Sequence, residues 1–329
     1  MKNMKKTLCV LLSAVIGASF AMTAEAKTVL RYATDVSKDN TQGQGAVYFA
    51  DEVKKRSNGN IEVKTFFDST LGNSQSIVSG ARSGTIDIAM VGGGIASGLS
   101  PVMAVLDIPF IFKDKEHAYR VLDGEIGDKL YATLEPLGLK GLAYFENGFR
   151  NMTNNNKPIV KPEDCAGLKI RVPQSNMLVA TFKALGANPV PMAYGELYTA
   201  METGAIDAQD HPISTLYAGK FYEIQKYLSM TKHAYTAVTV MMNKKKFDKL
   251  SKEDQQLILE CARDAAKYQR EVNAKEEVKM IEEMKKTGIQ VNDDVDADAF
   301  MKATLNVRSI YTEKNGDEFV KLIDAERNK

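Results

Sequence analysis

Residues 199–207 read Thr199-Ala200-Met201-Glu202-Thr203-Gly204-Ala205-Ile206-Asp207, and residues 79–87 read Ser79-Gly80-Ala81-Arg82-Ser83-Gly84-Thr85-Ile86-Asp87. Each has the pattern of a helix C-terminus, a capping glycine and a strand beginning Ile-Asp. The copies lie 120 positions apart. That period is far too long for a solenoid and suits two lobes of similar construction. Around the first copy the pattern alternates. A strand spans Thr28 to Ala33. A helix runs from about Gly45 to Arg56, with Ala46, Phe49, Ala50 and Val53 on one face. Ser57-Asn58-Gly59-Asn60 stops it, and strand Ile61 to Phe67, helix Ser76 to Arg82 and strand Ile86 to Val91 follow. Alternation of strand and helix predicts an α/β fold on an open parallel sheet.

Past Val238 the chain changes character. Thr236 to Met242 is a β-rich run. Ser251-x-x-Asp254 then opens a long helix to about Lys286, with Leu257, Ile258, Cys261, Ala262 and Ala265 as its apolar stripe. A short strand, Ile289 to Val291, and helices at about 297–312 and 316–325 close the chain.

The first 26 residues have a basic start (Lys2, Lys5, Lys6), an apolar run from Leu8 to Met22 and an Ala24-Glu25-Ala26 cleavage pattern. They read as a secretory signal cut after Ala26. The run is shorter than the ~20 apolar residues a membrane span needs, and no later stretch is long and apolar enough. A periplasmic protein is expected. The whole chain has 43 Lys+Arg and 42 Asp+Glu. Without the three Lys and one Glu of residues 1–26 the counts become 40 and 41, a formal charge of −1. No nucleic-acid partner is expected at that balance, and any anion site must be local. Cys165 and Cys261 remain; an oxidising compartment would let them pair, but a buried free thiol is the commoner outcome on an apolar helix face.

In Gly167-Leu168-Lys169-Ile170-Arg171-Val172-Pro173, the apolar Leu168, Ile170 and Val172 alternate with Lys169, Arg171 and Pro173. Arg171 is therefore a strand-borne cation, either solvated at an edge or aimed at an anion. His117, His211 and His233 form no zinc spacing, so no metal or cofactor is expected. G-x-S-x-G and P-loop sequences are absent, and Gly92-Gly93-Gly94 lacks the rest of a dinucleotide fingerprint. Those glycines let the backbone approach something closely, packing or ligand. Trp is absent, which excludes a sugar site stacked on tryptophan.

Several blocks, matched in order and spacing, carry a resemblance: NGFRNMT at 147–153, KPEDCAGLKIRVP at 161–173, LGANPVPMAYGELYTAMETGAIDAQDHP at 185–212 and KFYEIQKYLSMTKH at 220–233, with weaker similarity at FFDSTLGNSQ, 66–75. The chain resembles the DctP-type solute-binding subunit of tripartite ATP-independent periplasmic (TRAP) transporters. The resemblance implies two α/β lobes around a ligand cleft, joined by crossing segments and a long helix. Lobe I is expected to hold residues 27–147 and about 237–276, and lobe II residues 148–236 and about 277–329. It also implies a non-enzymatic receptor, expected as a monomer, that delivers a small organic acid to membrane permease subunits.

By the same resemblance Arg171 forms a bidentate ion pair with the ligand carboxylate. Arg150 matches a second family arginine, for the ligand's far end or the cleft loop. Tyr194 falls where an aromatic ring meets the ligand, and Asp35 where a polar contact is frequent. Asn73, Ser74 and Gln75 offer hydroxyl or amide partners. Gly92 stands where some relatives carry an acid. His233 matches a recurrent histidine, structural or ligand-facing. His211 departs from the usual Asn; beside Gln209, it can donate to a carboxylate or hydroxyl and can titrate, which would make binding depend on pH. Asn73, Gln75, Gln209, His211 and Asp35 together favour a sugar acid such as a uronate. The alternatives are a C4-dicarboxylate clamped by Arg150 and an anionic phosphoester at Gly92 to Gly94. A secreted hydrolase using Asp207, Asp210 and His211 is a reading from another class and lacks a nucleophile motif. A receptor that signals to a membrane sensor is the last.

Overall fold

The two copies of the repeat fold alike. Helix Ser74–Ser83 is capped by Gly84 at φ 85°, and helix Leu197–Glu202 is followed by Gly204 at φ 71°. These left-handed positions suit glycine. Ile86 N–H then reaches back to the Gly80 carbonyl and Ile206 N–H to the Ala200 carbonyl, both at 3.1 Å. Each aspartate clasps the neighbouring parallel strand. Asp87 N–H donates to the Arg31 carbonyl (3.0 Å) while its carboxylate accepts from Arg31 N–H (2.7 Å). Asp207 does the same with Lys169, at 2.9 and 3.1 Å.

This computed structural model describes residues 27–329; the expected secretion signal lies outside the described residues. In chain order the strands are β1 (Thr28–Ala33), β2 (Ile61–Phe66), β3 (Ile88–Gly92), β4 (Leu139–Phe149), β5 (Asn151–Asn154), β6 (Lys169–Val172), β7 (Asn188–Pro191), β8 (Ala208–His211), β9 (Tyr227–Ser229), β10 (Tyr235–Asn243) and β11 (Gln290–Asn292). The first sheet has the order β2-β1-β3-β10-β4 and the second β11-β9-β5-β8-β6-β7. Within the first, β1, β2 and β3 are parallel, but β10 runs antiparallel to both β3 and β4. The sheets are thus mixed rather than wholly parallel: β10 enters the first from the second, and β5, antiparallel to β8 and β9, enters the second from the first.

The chain passes between the sheets at Arg150, where β4 runs directly into β5, and at residues 230–234, between β9 and β10. The 35-residue helix Lys252–Lys286 packs on both halves. Its N-terminus is capped as expected, with Ser251 Oγ accepting from Asp254 N–H at 3.0 Å. Its Gln269 side chain covers the open edge of β4, accepting from Glu146 N–H and donating to the Glu146 carbonyl, both at 2.8 Å. The edge groups are satisfied as a further strand would satisfy them.

The sequence reading places 277–329 in lobe II. Phe300 does pack with Ile159, Cys165 and Phe182 of that half, but Val307, Tyr311, Val320 and Ile323 share a cluster with Met103, Ile111 and Leu130 of the first half and with Met177 of the second. Helix Leu305–Asn315 packs on both halves and helix Glu318–Glu326 on the first, so apolar faces rather than chain order decide what these two helices cover. Cys165 and Cys261 are buried and unpaired, in different clusters.

Tyr131 is built into the β4–β10 ladder. Its hydroxyl donates to the Ala143 carbonyl (2.6 Å) and accepts from Val240 N–H (3.2 Å), next to the register shift between Val240 and Met241. The ring crosses Gly141, where a Cβ would lie 2.0 Å from Tyr131 Cγ. Tyr131→Phe should therefore cost about 1–3 kcal/mol by stranding a buried N–H, and Gly141→Ala should destabilise by displacing the ring. Urea unfolding checks both; wild-type midpoints would refute this account of the bulge.

Candidate ligand-binding site

A cavity of about 40 Å³ lies between the two halves. Asp35, Asn73, Ser74, Gln75 and Ile95 come from the first; Arg171, Gln174, Met192, Ala193 and Tyr194 come from the second. Asp35 follows β1, and Asn73 caps helix Ser74–Ser83 by accepting from Ser76 N–H at 3.0 Å. The Ser74 hydroxyl donates to Asp35. Burial pushes the Asp35 carboxyl up, against the pull of that bond and of the Arg171 charge.

Among the described residues three arginines are buried: Arg150, Arg171 and Arg270. Arg270 holds Asp123 with two nitrogens (2.5 and 2.8 Å). Arg150 holds Asp210 likewise, Nε to Oδ2 at 2.5 Å and Nη2 to Oδ1 at 3.0 Å, and its Nη1 donates to Thr236 (3.0 Å). Arg171, only 3% exposed, has no carboxylate within ion-pair distance. Its Nε and Nη2 both donate to the Met192 carbonyl (3.1 and 2.8 Å), and Nη1 to His211 Nε2 (3.1 Å). Of its five N–H groups, two remain, one on each terminal nitrogen. That pair matches the two oxygens of a carboxylate approaching end-on. Burial, then the Arg150 charge, bring the guanidinium down to about 10, so a bound anion would relieve a real electrostatic deficit.

A buried polar layer stands behind Arg171. His233 Nε2 donates to Asp210 Oδ2 (3.2 Å) while its Nδ1 accepts from Thr231 (2.9 Å). Burial alone would raise Asp210, but the Arg150 charge and the bonds from His233 and Arg150 hold it far below the usual carboxylate range. His211 Nδ1 donates to Gln209, which donates to Thr153 Oγ1 at 2.7 Å. Burial, with Arg150 and Arg171 alongside, keeps His211 well below the usual imidazole value. Tyr194 lies edge-on to His211 (5.7 Å, 78°), and its phenol is pushed up to about 12 by burial and by Asp35.

Of the residues singled out in the sequence, Arg171, Tyr194, Asp35, Asn73 and Gln75 line the cavity. Arg150, Gln209, His211 and His233 do not: Asp210 takes Arg150 and His233, while His211 spends both ring nitrogens on Arg171 and Gln209. His211 neither donates to the cavity nor titrates near neutrality. Gly92 ends β3 and a Cβ there would meet open space; Gly94 is the close approach, with Ser175 Cβ 2.9 Å from its would-be Cβ. Ile95, Gln174, Met192 and Ala193 went unnoticed because nothing local marks them. Asp210 left a trace: the strand Ala-Gln-Asp-His, buried at every position, needs partners for three polar side chains.

The family model for bacterial extracellular solute-binding protein, family 7 (DctP), matches residues 32–314. The chain belongs to this family. It is 46% identical over 310 residues to the 2,3-diketo-L-gulonate-binding periplasmic protein YiaO of Escherichia coli, covering 93% of this chain and 94% of that one. A TRAP periplasmic solute-binding protein from Polaromonas, solved with D-erythronate, superposes with TM-score 0.89 at 35% identity, over 92% of this chain and 100% of that one. The sugar acid binding protein DctPAm of Advenella mimigardefordensis, solved with galactonate, gives TM-score 0.88 at 34% identity, over 91% and 98%. Members of this family are receptors rather than enzymes; they bind small acids and work with TRAP membrane components.

Asp107 and Ser175, both buried, meet between the two halves, Ser175 Oγ donating to Asp107 Oδ2 at 2.7 Å. Burial raises Asp107 to about 6, against the Ser175 bond and the Arg150 charge. A carboxyl raised in the folded state stabilises that state while protonated, and the advantage is lost as pH rises from about 4 through about 6. Relative to wild type, Asp107→Asn should therefore gain on the order of 2–3 kcal/mol between about pH 4.5 and about pH 7.5. Denaturation at the two pH values measures it; a constant difference would overturn this assignment.

Proposed function

We propose that this protein is a periplasmic TRAP receptor for a sugar acid bearing one carboxylate, acting as a monomer after removal of residues 1–26. Lobe I is residues 27–147 and 237–276 with helix Glu318–Glu326, lobe II is residues 148–236 and 277–304, and helix Leu305–Asn315 packs on both. The observation that carries the ligand reading is Arg171: a buried guanidinium with no acid of its own and one free N–H on each terminal nitrogen. Arg150 is already matched by Asp210, which weighs against a second clamp and so against a C4-dicarboxylate. Asp35, Asn73, Ser74, Gln75 and Gln174 suit the hydroxyls of a polyol chain. The glycine run packs against Ser175 and the Ala237 carbonyl, which weighs against a phosphoester loop. The relatives named above bind 2,3-diketo-L-gulonate, D-erythronate and galactonate, each a polar monocarboxylate.

A cavity of about 40 Å³ has room for a few waters, and a six-carbon acid is larger. The lobes therefore part to admit it, and closure removes water from Arg171 and the carboxylate together. Each charge-assisted bond then contributes about 1.5–3 kcal/mol. At about 100 times its dissociation constant a ligand adds about 2.7 kcal/mol of stability. In a thermal-shift panel, 2,3-diketo-L-gulonate, D-galactonate or D-galacturonate should raise the melting temperature, and succinate should not. Stabilisation by succinate alone, or by neutral sugars alone, would refute the proposal. Arg171→Lys keeps the charge and loses the fork, and should weaken binding about 10-fold or more.

A further inference from the structure

The register of the second sheet sets Thr153 on β5, Gln209 on β8 and Arg171 on β6 side by side, with His211 two residues beyond Gln209 on the same face. Four side chains then bond in sequence: Thr153, Gln209, His211, Arg171. The direction of each bond follows from what the groups can do. A guanidinium only donates, so His211 Nε2 accepts. The imidazole proton must then sit on Nδ1, where it is given to the Gln209 carbonyl oxygen. That turns the Gln209 amide nitrogen toward Thr153 Oγ1.

The ring is fixed on its faces and edges as well. Phe221 lies nearly parallel to it at 5.7 Å and 22°, and Tyr194 meets it edge-on. The charged groups around it are Arg171 on β6, Arg150 between β4 and β5, and Asp210 on β8, with His233 behind Asp210. Both ring nitrogens are committed, so the ring offers the ligand no polar atom.

We propose that His211 is a positioning residue: its neutral Nδ1–H tautomer, set by Gln209 and Thr153, holds the Arg171 guanidinium so that one end-on N–H pair faces the cleft and a single carboxylate is taken. Histidine keeps no N–H for the ligand, so recognition of the acid group falls to Arg171. This inference rests on the reading that Arg171 binds the ligand carboxylate, and the test separates the two.

The chain has three histidines, His117, His211 and His233, so ¹⁵N NMR of the mature protein resolves the ring, with His211→Gln giving the assignment. The expected signature is a protonated Nδ1 and a bare Nε2, unchanged between about pH 5.5 and about pH 8. An imidazolium in that range, or a proton on Nε2, overturns the proposal; where His211→Gln fails to fold, through-space contacts with the stacked Phe221 ring assign the resonance instead. For affinity, calorimetry with D-galactonate as probe should show His211→Phe weakened about 10- to 100-fold, the worth of one charge-assisted bond. His211→Gln, which retains a neutral acceptor, should recover most of that loss. Wild-type affinity in His211→Phe, or a glutamine variant no better than the phenylalanine one, refutes the positioning role. Arg171→Met decides the underlying reading: if it binds as wild type, the carboxylate assignment itself fails, whereas its loss of binding beside an unaffected His211→Phe sinks only the positioning role.

Discussion

A guanidinium buried without an acid of its own is the constraint around which this molecule is arranged. Charge in a low-dielectric interior is costly unless paired, and the protein supplies that pairing to Arg150 and Arg270 but withholds it from Arg171. The Met192 carbonyl and His211 satisfy three of its N–H groups. They are neutral acceptors, so they fix its direction without cancelling its charge. Asp210 stands close enough to balance Arg150 while Asp35 faces Arg171 from the opposite lobe, and the remaining deficit is what an anionic solute would fill. A receptor in a chain of near-zero net charge has no general field to attract an acid, and this local imbalance serves in its place.

The two-lobed architecture decides when that imbalance matters. The cavity draws five residues from each half, so a ligand touching both can bind fully only when they meet. The crossings are where the chain concentrates buried polar contacts. Glu146, near the end of β4, accepts from Asn273 at 2.5 Å and from Tyr119, and pairs with Lys115 at 3.2 Å. Gly148, two residues on, has φ 113°, a conformation that side chains resist. Between the halves the buried Ser175 rests on Gly94 and donates to Asp107.

Much of the fold was legible because it is local. The paired Gly-x-Ile-Asp stretches, the Ser251 cap and the strand at Lys169–Val172 depend on near neighbours and on side-chain alternation, and each forms as the residues predict, except that the strands start just after the Ile-Asp pairs, at Ile88 and Ala208. The site was legible in part. Arg171, Tyr194, Asp35, Asn73 and Gln75 line the cavity, whereas Arg150, Gln209, His211 and His233 form the layer behind. The difference lies in partners. Whether an arginine faces a ligand depends on whether an aspartate 60 positions away reaches it first, as Asp210 does for Arg150, and no local pattern carries that information.

The class was readable from residue order: two similar α/β lobes, a long helix after Ser251 and an arginine on a short strand. These follow from periodicity, capping and residue type, which act over a few positions. Tertiary structure alone decided which buried cation is left unpaired, which tautomer His211 adopts, and that helix Leu305–Asn315 packs on both halves while helix Glu318–Glu326 packs on the first. Those outcomes turn on desolvation and on competition among distant donors and acceptors, and both exist only once the chain has folded.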